Sequence, residues 1–518
     1  MSDDVLVVGA GPTGLSLAIT LRRYGVRVRI VDRLTEPAPV SKALAVWSAT
    51  LEALQSMGIV EAFLAAGRRM HAVRIGDGGH EIARVTVGRG IDSAFPYPVL
   101  LSQARTEAIL RDRLAALGVA VERGVELTGL DQDDDGVTAR LRHADGAEET
   151  ARARYLVGSD GARSAVRHEL GIAFEGLTEP QTFLLGDVRI DGGDLDDRSL
   201  YIWWRHGTVA LFPFEAGVWR VLTARADAGD QSPPTVAELQ AGIDRSGPPG
   251  LRLHDPGWLS AFHINERLAA RYRVGSCFLA GDAAHIHSPA GGQGMNTGIH
   301  DGVNLGWKLA QVLRGHGDAA ILLDSYEAER RPTARAVVDE STQRQHLAFN
   351  SGGRLAELAK DAALAVLGRV PAVQRMLQVQ LSETAIVYRD GKLVALGAPP
   401  SRPARGDAGT RALDATWRDP ATGEARTLWP LLSGPGHTLL VHEDAARGID
   451  TAATLSGLDG RVRTLRFDAA SEAGRAVGAR YGIHGAGWVL IRPDHVVAAR
   501  GAGADVGRLA RYLDRAVR

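Results

Sequence analysis

Three glycines near the N-terminus, Gly9, Gly11 and Gly14, have the GxGxxG spacing of a loop that holds the pyrophosphate of a dinucleotide. The first allows a tight turn, the second lets the backbone approach the pyrophosphate, and the third lets a helix pack on the preceding strand. Asp32 lies about 20 residues further on, where an acid that binds a ribose is expected. A purely structural glycine turn is the alternative.

The segments around the glycines predict the elements that position them. Residues 5–8 form an apolar, β-branched run that is typical of a buried parallel strand. Residues 15–21 have helical periodicity, and residues 26–32 predict a second strand that ends at Asp32. The N-terminus of such a helix offers free N–H groups to phosphates. Strand, glycines, helix, strand and acid in this order favour a dinucleotide site.

Two later motifs decide which dinucleotide is expected. The first is GSDGARS, residues 158–164. The second begins with GDAAH at 281–285 and continues through Pro289 and GGQGMN at 291–296 to Asp301. A helix that starts near GMN would place the positive end of its dipole at this glycine-rich loop, where it favours a negatively charged group.

With these motifs in this order between residues 9 and 301, the chain resembles the class A flavin monooxygenases, the aromatic hydroxylases related to p-hydroxybenzoate hydroxylase and phenol hydroxylase. The resemblance implies FAD as cofactor, NADPH or NADH as electron donor and O2 as co-substrate. It implies hydroxylation of a phenolic or polycyclic, polyketide-like ring through a flavin C4a-hydroperoxide. Baeyer–Villiger oxygenation on the same fold and a non-catalytic flavin-binding protein are the alternatives.

The motifs and the resemblance together imply a set of FAD contacts, in which Pro289 also helps to position the substrate. These residues are Gly9, Gly11, Pro12, Thr13, Gly14, Asp32, Arg33, Lys42, Gln103, Asp160, Asp282, Pro289, Gly292, Gly294, Met295 and Asn296. Lys42 departs from the family, in which many members carry an arginine here that contacts the pyrophosphate. Lysine keeps the charge but loses the bidentate fork, and a surface lysine is the alternative.

Other charged residues of the motifs have competing interpretations. The resemblance implies that Arg163 contacts NAD(P)H, whereas a solvated helix start is the alternative for both Arg163 and Arg167. Asp282, His285 and His287 are residue types that bind iron or zinc. The GDAAH context favours a structural role for His285 instead, and no metal site is expected.

Residues 175–270 change in character, because alternating segments replace helical periodicity. They predict an antiparallel sheet with one helix at 235–246, which would supply the substrate cavity. Trp203 and Phe212 are candidates for its aromatic lining, and core packing explains them equally well. Trp203 and Arg205 share one side of their strand and Trp204 and His206 the other, and alternation does not say which side faces the cavity.

The expected fold class is α/β, a Rossmann-like FAD-binding domain with an inserted antiparallel-sheet substrate domain and a C-terminal thioredoxin-like domain. The last domain contains no cysteine and therefore no CxxC, so a structural or assembly role is expected for it. The boundaries are 1–174 for the first part of the FAD-binding domain, 175–272 for the substrate domain, 273–395 for the second part with a helical segment, and 396–518 for the thioredoxin-like domain.

Composition excludes several other classes of protein. The 518 residues carry a net charge of −1, which gives no reason to expect a nucleic acid or an anionic membrane as partner. No apolar run reaches the ~18 residues of a membrane-spanning helix. The single cysteine, Cys277, and an N-terminus that enters the first strand without a signal peptide predict a cytoplasmic protein. A monomer or a homodimer is expected.

Overall fold

The computed structural model describes residues 3–37, 43–77, 80–204, 207–215, 217–225, 227, 230, 232–289, 291–349, 370–444, 449–503 and 505–518. Across these residues, no helix combines the length and the apolar character needed to cross a membrane.

The first sheet is largely parallel and contains the N-terminal strand. Its strands are β1 (Asp3–Val8), β2 (Val28–Asp32), β8 (Val121–Arg123), β9 (Val125–Asp133), β10 (Gly136–His143), β11 (Glu148–Gly158), β17 (Arg273–Val274) and β18 (Cys277–Leu279). The order is β17-β18-β11-β1-β2-β8, and the antiparallel β9–β10 hairpin extends from β11. Val5 and Val7 are fully buried, as an apolar run in a parallel sheet covered on both faces requires.

Helices cover this sheet and lead into the later motifs. Their bounds are α1 (Pro12–Arg23), α2 (Ser48–Ser56), α3 (Val60–Ala66), α4 (Gln103–Ala116), α5 (Ala165–Glu169), α7 (Gly294–Leu313) and α8 (Ala319–Phe349). Ser102 caps α4 by accepting a hydrogen bond from the Arg105 amide. A 3-10 turn, Gly281–Ala283, follows β18, and α1 packs along α7. Short strands β3 (Ala45–Val46), β4 (Arg68–Arg69) and β7 (Val99–Leu100) form a small separate sheet.

The second sheet is the predicted antiparallel one. Its strands are β5 (Ala72–Asp77), β6 (His80–Thr86), β12 (Phe174–Asp191), β13 (Ser199–Trp203), β14 (Val209–Glu215), β15 (Val218–Ala224), β16 (Arg252–Ala269) and β19 (His285–Ile286). The order is β19-β16-β12-β15-β14-β13-β5-β6, with β13 and β5 parallel. Helix α6 (Val236–Ser246) packs on one face. The range 175–272 therefore leaves out β5, β6 and β19.

The C-terminal domain has a sheet of its own. Its strands are β22 (His437–Glu443), β23 (Val462–Asp468), β24 (Gly487–Ile491) and β25 (Val497–Ala502), in the order β23-β22-β24-β25. Only β22 and β23 run parallel, as in a thioredoxin-like fold. A two-stranded ribbon precedes it, β20 (Thr416–Arg418) and β21 (Ala425–Thr427).

The remaining helices belong to the C-terminal half. They are α9 (Pro371–Leu381), α10 (Lys392–Leu396), α11 (Trp429–Leu432), α12 (Ala452–Leu455), α13 (Glu472–Tyr481) and α14 (Gly507–Ala516). Helix α9 joins the second sheet to α2. The Gln378 side chain donates to Thr86 O at the end of β6 and accepts from the Gly88 amide, while the Ala49 amide of α2 donates to Ser382 O just beyond α9.

Candidate cofactor site and active site

The glycine-rich loop forms between β1 and α1. Gly9 has φ +102°, and a Cβ there would collide with Ser159 O. A Cβ on Gly14 would collide with Gly9 O, whereas a Cβ on Gly11 would meet nothing within 4 Å. Pro12 occupies the first turn of α1, where a missing N–H costs no hydrogen bond. Of the three glycines, only Gly11 therefore borders open space. A pyrophosphate in this space can approach the backbone closely.

Substitution of these glycines is expected to separate folding from FAD binding. Gly11→Ala should cost less than about 1 kcal/mol of stability, because φ is −76° and the space beside it is open. Its methyl group should weaken FAD binding roughly tenfold or more, by about 1.4 kcal/mol. Gly14→Ala should instead destabilise the apoprotein by about 1–3 kcal/mol. Calorimetry of the apoproteins and titration with FAD measure the two effects. Equal FAD affinity in Gly11→Ala and the parent would contradict this assignment.

Asp32 stabilises the same loop. Its Oδ2 accepts a hydrogen bond of 2.8 Å from the Ala10 amide, and its Oδ1 accepts one of 2.9 Å from the Leu34 amide. Arg123 lies 3.6 Å from Oδ1. The carboxylate is half-buried beside the glycines and Arg33 is exposed. Binding of the ribose by Asp32 stays a prediction.

Gln103 fixes the chain directly after Lys42. The amide of Gln103 donates to Ala43 O (3.1 Å), and the Ala43 amide donates to Gln103 Oε1 (3.2 Å). The Gln103 Nε2 donates to Glu107 at 2.8 Å. Lys42 itself lies outside the described residues.

The GSDGARS motif lies against the glycine loop, since Ser159 Oγ donates to Gly9 O at 2.9 Å. Asp160 Oδ2 caps α5 by accepting from the Ala165 and Val166 amides at 2.7 and 3.2 Å. Its Oδ1 is buried without a hydrogen-bond partner among the described residues, and burial raises the pKa of this carboxyl. An unsatisfied buried acceptor of this kind fits a site that a cofactor hydroxyl completes.

The two arginines of this motif have different environments. Arg163 is exposed at the turn before α5. Arg167 is 4 % exposed and donates to Ala283 O (2.9 Å) and Ala162 O (2.8 Å). The solvated alternative is therefore wrong for Arg167. Its side chain joins the GSDGARS motif to the GDAAH turn.

Asp301 organises the GDAAH turn from inside α7. Its Oδ2 accepts from the Gly281 amide at 3.0 Å and lies 2.7 Å from His285 Nε2, while Arg330 Nε donates to Oδ1 at 2.7 Å. Burial opposes ionisation, but Arg330 and His285 outweigh it and hold the pKa of Asp301 at about 2. His285 thus has the structural role that the GDAAH context favours. In the described part of the chain, no cluster of three or more His, Cys, Asp or Glu side chains could hold a metal ion.

The start of α7 provides hydrogen-bond donors beside the loop that contains Pro289. The amides of Gly294, Met295 and Asn296 have no acceptor among the described residues, so they carry the positive end of the helix dipole. Gly292 has φ +64° and donates to Pro289 O at 3.0 Å. Asp282 and Pro289 are exposed at the same loop. This surface fits an isoalloxazine ring that becomes negatively charged on reduction.

Asn296 makes a contact that its motif does not predict. Its Oδ1 accepts from the Trp47 amide at 2.9 Å, and its Nδ2 donates to Ala45 O (2.9 Å) and Gly292 O (2.8 Å). The side chain is fully buried and ties the loop to the segment before α2. The Asn296 side chain therefore has a structural role, because its polar atoms are used within the protein. Its backbone amide is still available to contact FAD.

The two faces of the second sheet differ in what covers them. Trp203 stacks on Tyr201 at 5.3 Å and packs with Ile243 of α6. Phe212 points the other way and contacts the clusters that contain Trp47 and Phe183. Trp203 is thus a core residue beneath α6, which corrects its assignment to the substrate cavity. Phe212 lies on the face towards residues 44–47, which include β3. Arg205 and His206 lie outside the described residues.

Comparisons with known proteins agree with this geometry. The family described as FAD binding domain matches residues 2–341. The 6-methylpretetramide 4-monooxygenase of Streptomyces rimosus is 37% identical over 98% of this chain and 93% of its own length. Among solved structures, the anhydrotetracycline hydroxylase OxyS of Streptomyces rimosus aligns with a TM-score of 0.78 and 30% identity over 100% of this chain and 99% of that one. A ternary complex of aklavinone-11 hydroxylase with FAD and aklavinone aligns with a TM-score of 0.81 and 29% identity, over 99% of each chain.

These matches cover nearly the whole chain, and the family match spans all three motifs. They confirm both the resemblance and the α/β fold class that it implies. The chain therefore belongs to the FAD-dependent class A aromatic monooxygenases.

Proposed function

We propose that this protein uses FAD, NAD(P)H and O2 to hydroxylate a polycyclic aromatic, polyketide-like compound in the cytoplasm. The observation that carries the proposal is that the first turns of α1 and α7 lie side by side, with Thr13 of α1 against Gly298 of α7 and against Gly281, next to an apolar sheet face. Relatives named for pretetramide, anhydrotetracycline and aklavinone support the choice of a polycyclic substrate.

The chemistry that bound FAD supplies is the acceptance of a hydride and the activation of O2 for transfer of one oxygen atom to a ring. The chain supplies binding and orientation. The N-terminus of α1 and Gly11 hold the pyrophosphate. The amides at the start of α7, which have no acceptor among the described residues, stabilise negative charge on the ring system. The apolar sheet face excludes water from the reacting ring.

The sheet face suits a flat apolar substrate better than a small benzoate. Phe212 lies among Phe183, Ile202 and Leu222, all of which are apolar. Arg220 lies on the same strand pair, but its guanidinium forms a bidentate pair with Asp187 at 2.8 Å and 2.8 Å. A benzoate needs an arginine clamp for its carboxylate, and this pairing uses Arg220 for the fold.

A screen of NAD(P)H oxidation tests the proposal. We expect the purified protein to bind FAD and to consume NAD(P)H faster with polycyclic phenols than without them. Hydrogen peroxide release, measured in parallel, separates hydroxylation from uncoupled oxidation. An NMR structure of the product distinguishes ring hydroxylation from Baeyer–Villiger insertion. A protein that stays colourless with added FAD, or that no aromatic compound stimulates, would overturn the proposal.

Phe212 and Trp203 form a matched pair for locating the substrate. Phe212→Ala should raise KM for the aromatic substrate roughly tenfold, by about 1.4 kcal/mol of lost apolar contact. Trp203→Phe removes surface from the opposite face of the same sheet and should leave KM unchanged while lowering the melting temperature. Steady-state kinetics and calorimetry measure the two effects, and a larger change of KM in Trp203→Phe would reverse the assignment of the faces.

We also propose that Arg163 contacts the phosphates of NAD(P)H, since it is exposed beside the Asp160 turn. Arg163→Ala should then raise KM for NAD(P)H without changing the affinity for FAD.

A further inference from the structure

Glu383 has an unusual backbone conformation for its residue type. It follows the end of α9 with φ +58°, in the left-handed region that glycine normally occupies after a helix. Its side chain is nonetheless buried, with 4 % of the residue exposed. Non-glycine residues in this conformation persist where the surrounding structure holds them, often at functional sites.

The Glu383 carboxyl is connected to the first turn of α7 through Thr297. Thr297 Oγ1 lies 3.1 Å from Glu383 Oε1 and 3.1 Å from Gln293 O. The hydroxyl has one proton and the carbonyl has none to donate. Gln293 O also accepts from the Thr297 amide at 2.9 Å, so the hydroxyl can donate to Glu383 Oε1 when the carboxyl is ionised. A neutral Glu383 can instead donate to Thr297 and leave the hydroxyl proton for Gln293 O. Gln293 is the residue from which α7 begins.

The second carboxyl oxygen lacks a donor. Glu383 Oε2 has no hydrogen-bond partner among the described residues, and an ionised carboxylate in this position would be poorly solvated. Glu383 lines a cavity of about 60 Å³ between α7 and the C-terminal domain. Arg411 Nε and the indole nitrogens of Trp307 and Trp429 line it as well and are also unpaired there. The space is large enough for a few water molecules, at about 10–15 Å³ for each.

The charged groups around Glu383 leave it without a cation of its own. Arg330 pairs with Asp301 at 2.7 Å, and Arg411 pairs with Glu52 at 2.9 Å. His300 Nε2 lies 3.8 Å from Oε2, and burial lowers the pKa of this imidazole to about 3, so it is neutral. The titratable and charged groups of the elements packed around the cavity are Arg23, Tyr24, Glu52, His300, Asp301, Arg330, Tyr388, Arg411, Asp494 and His495.

We propose that Glu383 is a proton-holding positioning residue of the flavin site, whose neutral carboxyl keeps the start of α7 hydrogen-bonded through Thr297 and leaves the positive end of that helix free to stabilise reduced FAD. An ionised carboxylate one turn from the helix start would oppose the negative charge that FAD gains on reduction. Burial raises the pKa of Glu383 to about 8, which agrees with a neutral group at physiological pH. The inference deepens the proposed function and rests on FAD binding at α7.

The test is the pH dependence of the reduction equilibrium of bound FAD. Two-electron reduction to the anionic form takes up one proton, so the equilibrium constant falls tenfold per pH unit, equivalent to about 30 mV. At pH values where Glu383 is ionised before reduction and neutral after it, reduction takes up a second proton. The equilibrium constant then falls a hundredfold per pH unit. We expect this steeper region above about pH 8 in the parent protein and not in Glu383→Gln.

Three controls accompany this measurement. Glu52→Gln removes another buried carboxyl of the same cavity that does not contact Thr297. It should keep the steeper region but move its onset to lower pH, because Arg411 loses its partner beside Glu383. Thr297→Ser keeps the hydroxyl and should behave as the parent, whereas Thr297→Val should shift the onset of the steeper region. Infrared spectra of the apoproteins should show a protonated carboxyl band at pH 7 that is lost in Glu383→Gln.

Two results would overturn the inference. One is the same pH dependence in the parent and in Glu383→Gln, and the other is an infrared band that this substitution leaves unchanged. Failure of the parent to bind FAD would instead overturn the proposed function, and the infrared measurement, which needs no cofactor, would still report on Glu383.

Discussion

Replacement of Arg492 by methionine is expected to lower the free energy of unfolding by about 3–5 kcal/mol, because it removes the arginine that pairs with two buried carboxylates and leaves Lys308 as the one cation beside Glu329 among the described residues. Arg492 lies between β24 and β25 and donates to both oxygens of Glu329 on α8, at 2.7 and 2.8 Å. It also pairs with Asp494 at 2.5 Å. Lys308 of α7 donates to Glu329 at 2.7 Å, so one buried network joins the C-terminal domain to the helices behind the flavin site.

An exposed pair across the same domain boundary provides the control. Arg480 of α13 donates to Asp92 at 2.5 Å, and 37 % of its side chain is exposed. Arg480→Met should therefore cost less than about 1 kcal/mol. Chemical unfolding followed by tryptophan fluorescence measures both variants. Equal losses in the two would show that the buried network does not hold the C-terminal domain in place.

The same network predicts a dependence of stability on acid. Burial opposes ionisation of Glu329, but Arg492 and Lys308 outweigh it and lower its pKa to about 2 from an ordinary value of 4.5. The stabilisation from Glu329 is therefore complete above pH 4.5 and is lost as the pH falls towards 2. Without Arg492 the pKa of Glu329 should rise, so Arg492→Met should lose stability at a higher pH than the parent.

Asp301→Asn is expected to release FAD as well as to destabilise the fold. The amide cannot neutralise Arg330, and a buried arginine left without its partner costs about 3–5 kcal/mol. The amide also offers one acceptor where the carboxylate serves the Gly281 amide, His285 and Arg330. The GDAAH turn should then loosen, and flavin content after purification, read from its visible absorbance, should fall below half of the parent value.

Asp324→Asn on α8 provides the matched control. Asp324 pairs with Arg273 at 2.6 Å, but 60 % of its side chain is exposed, so its loss should cost less than about 1 kcal/mol and leave the flavin content unchanged. Stoichiometric FAD in Asp301→Asn at an unchanged melting temperature would show that Asp301 does not organise the cofactor loop.

Local patterns predicted much of this protein, because they depend on neighbours within one or two elements. The glycine spacing, the apolar run of β1 and the helical period of α1 all express backbone sterics and burial over about 25 residues, and the structure contains these elements where they were expected. Alternating polar and apolar residues likewise predicted the strands β12 to β15. The helix expected at 235–246 is α6.

Only the tertiary structure decided which face of the second sheet is covered by α6 and which faces the candidate substrate site. Alternation gives each strand two equivalent faces. The observed register, in which Trp203 pairs with Val209, places Trp203 and Phe212 on opposite sides of the sheet, but by itself it leaves the two sides equivalent. The position of α6 breaks that symmetry, and it depends on packing that no local pattern contains. Trp203 is a core residue for this reason. Phe212 instead faces the segment that contains β3 and Trp47.

The sequence by itself determined the cofactor class, because three motifs in a fixed order carry the resemblance to the FAD-dependent monooxygenases. The structure alone decided how those motifs are joined. Asn296 bonds the Trp47 amide, Arg167 bonds Ala283 O and Arg492 bonds Glu329, each across more than 100 residues of chain. Such contacts depend on how the elements pack in three dimensions, so a buried arginine and a solvated one look alike until the fold brings an acceptor to one of them.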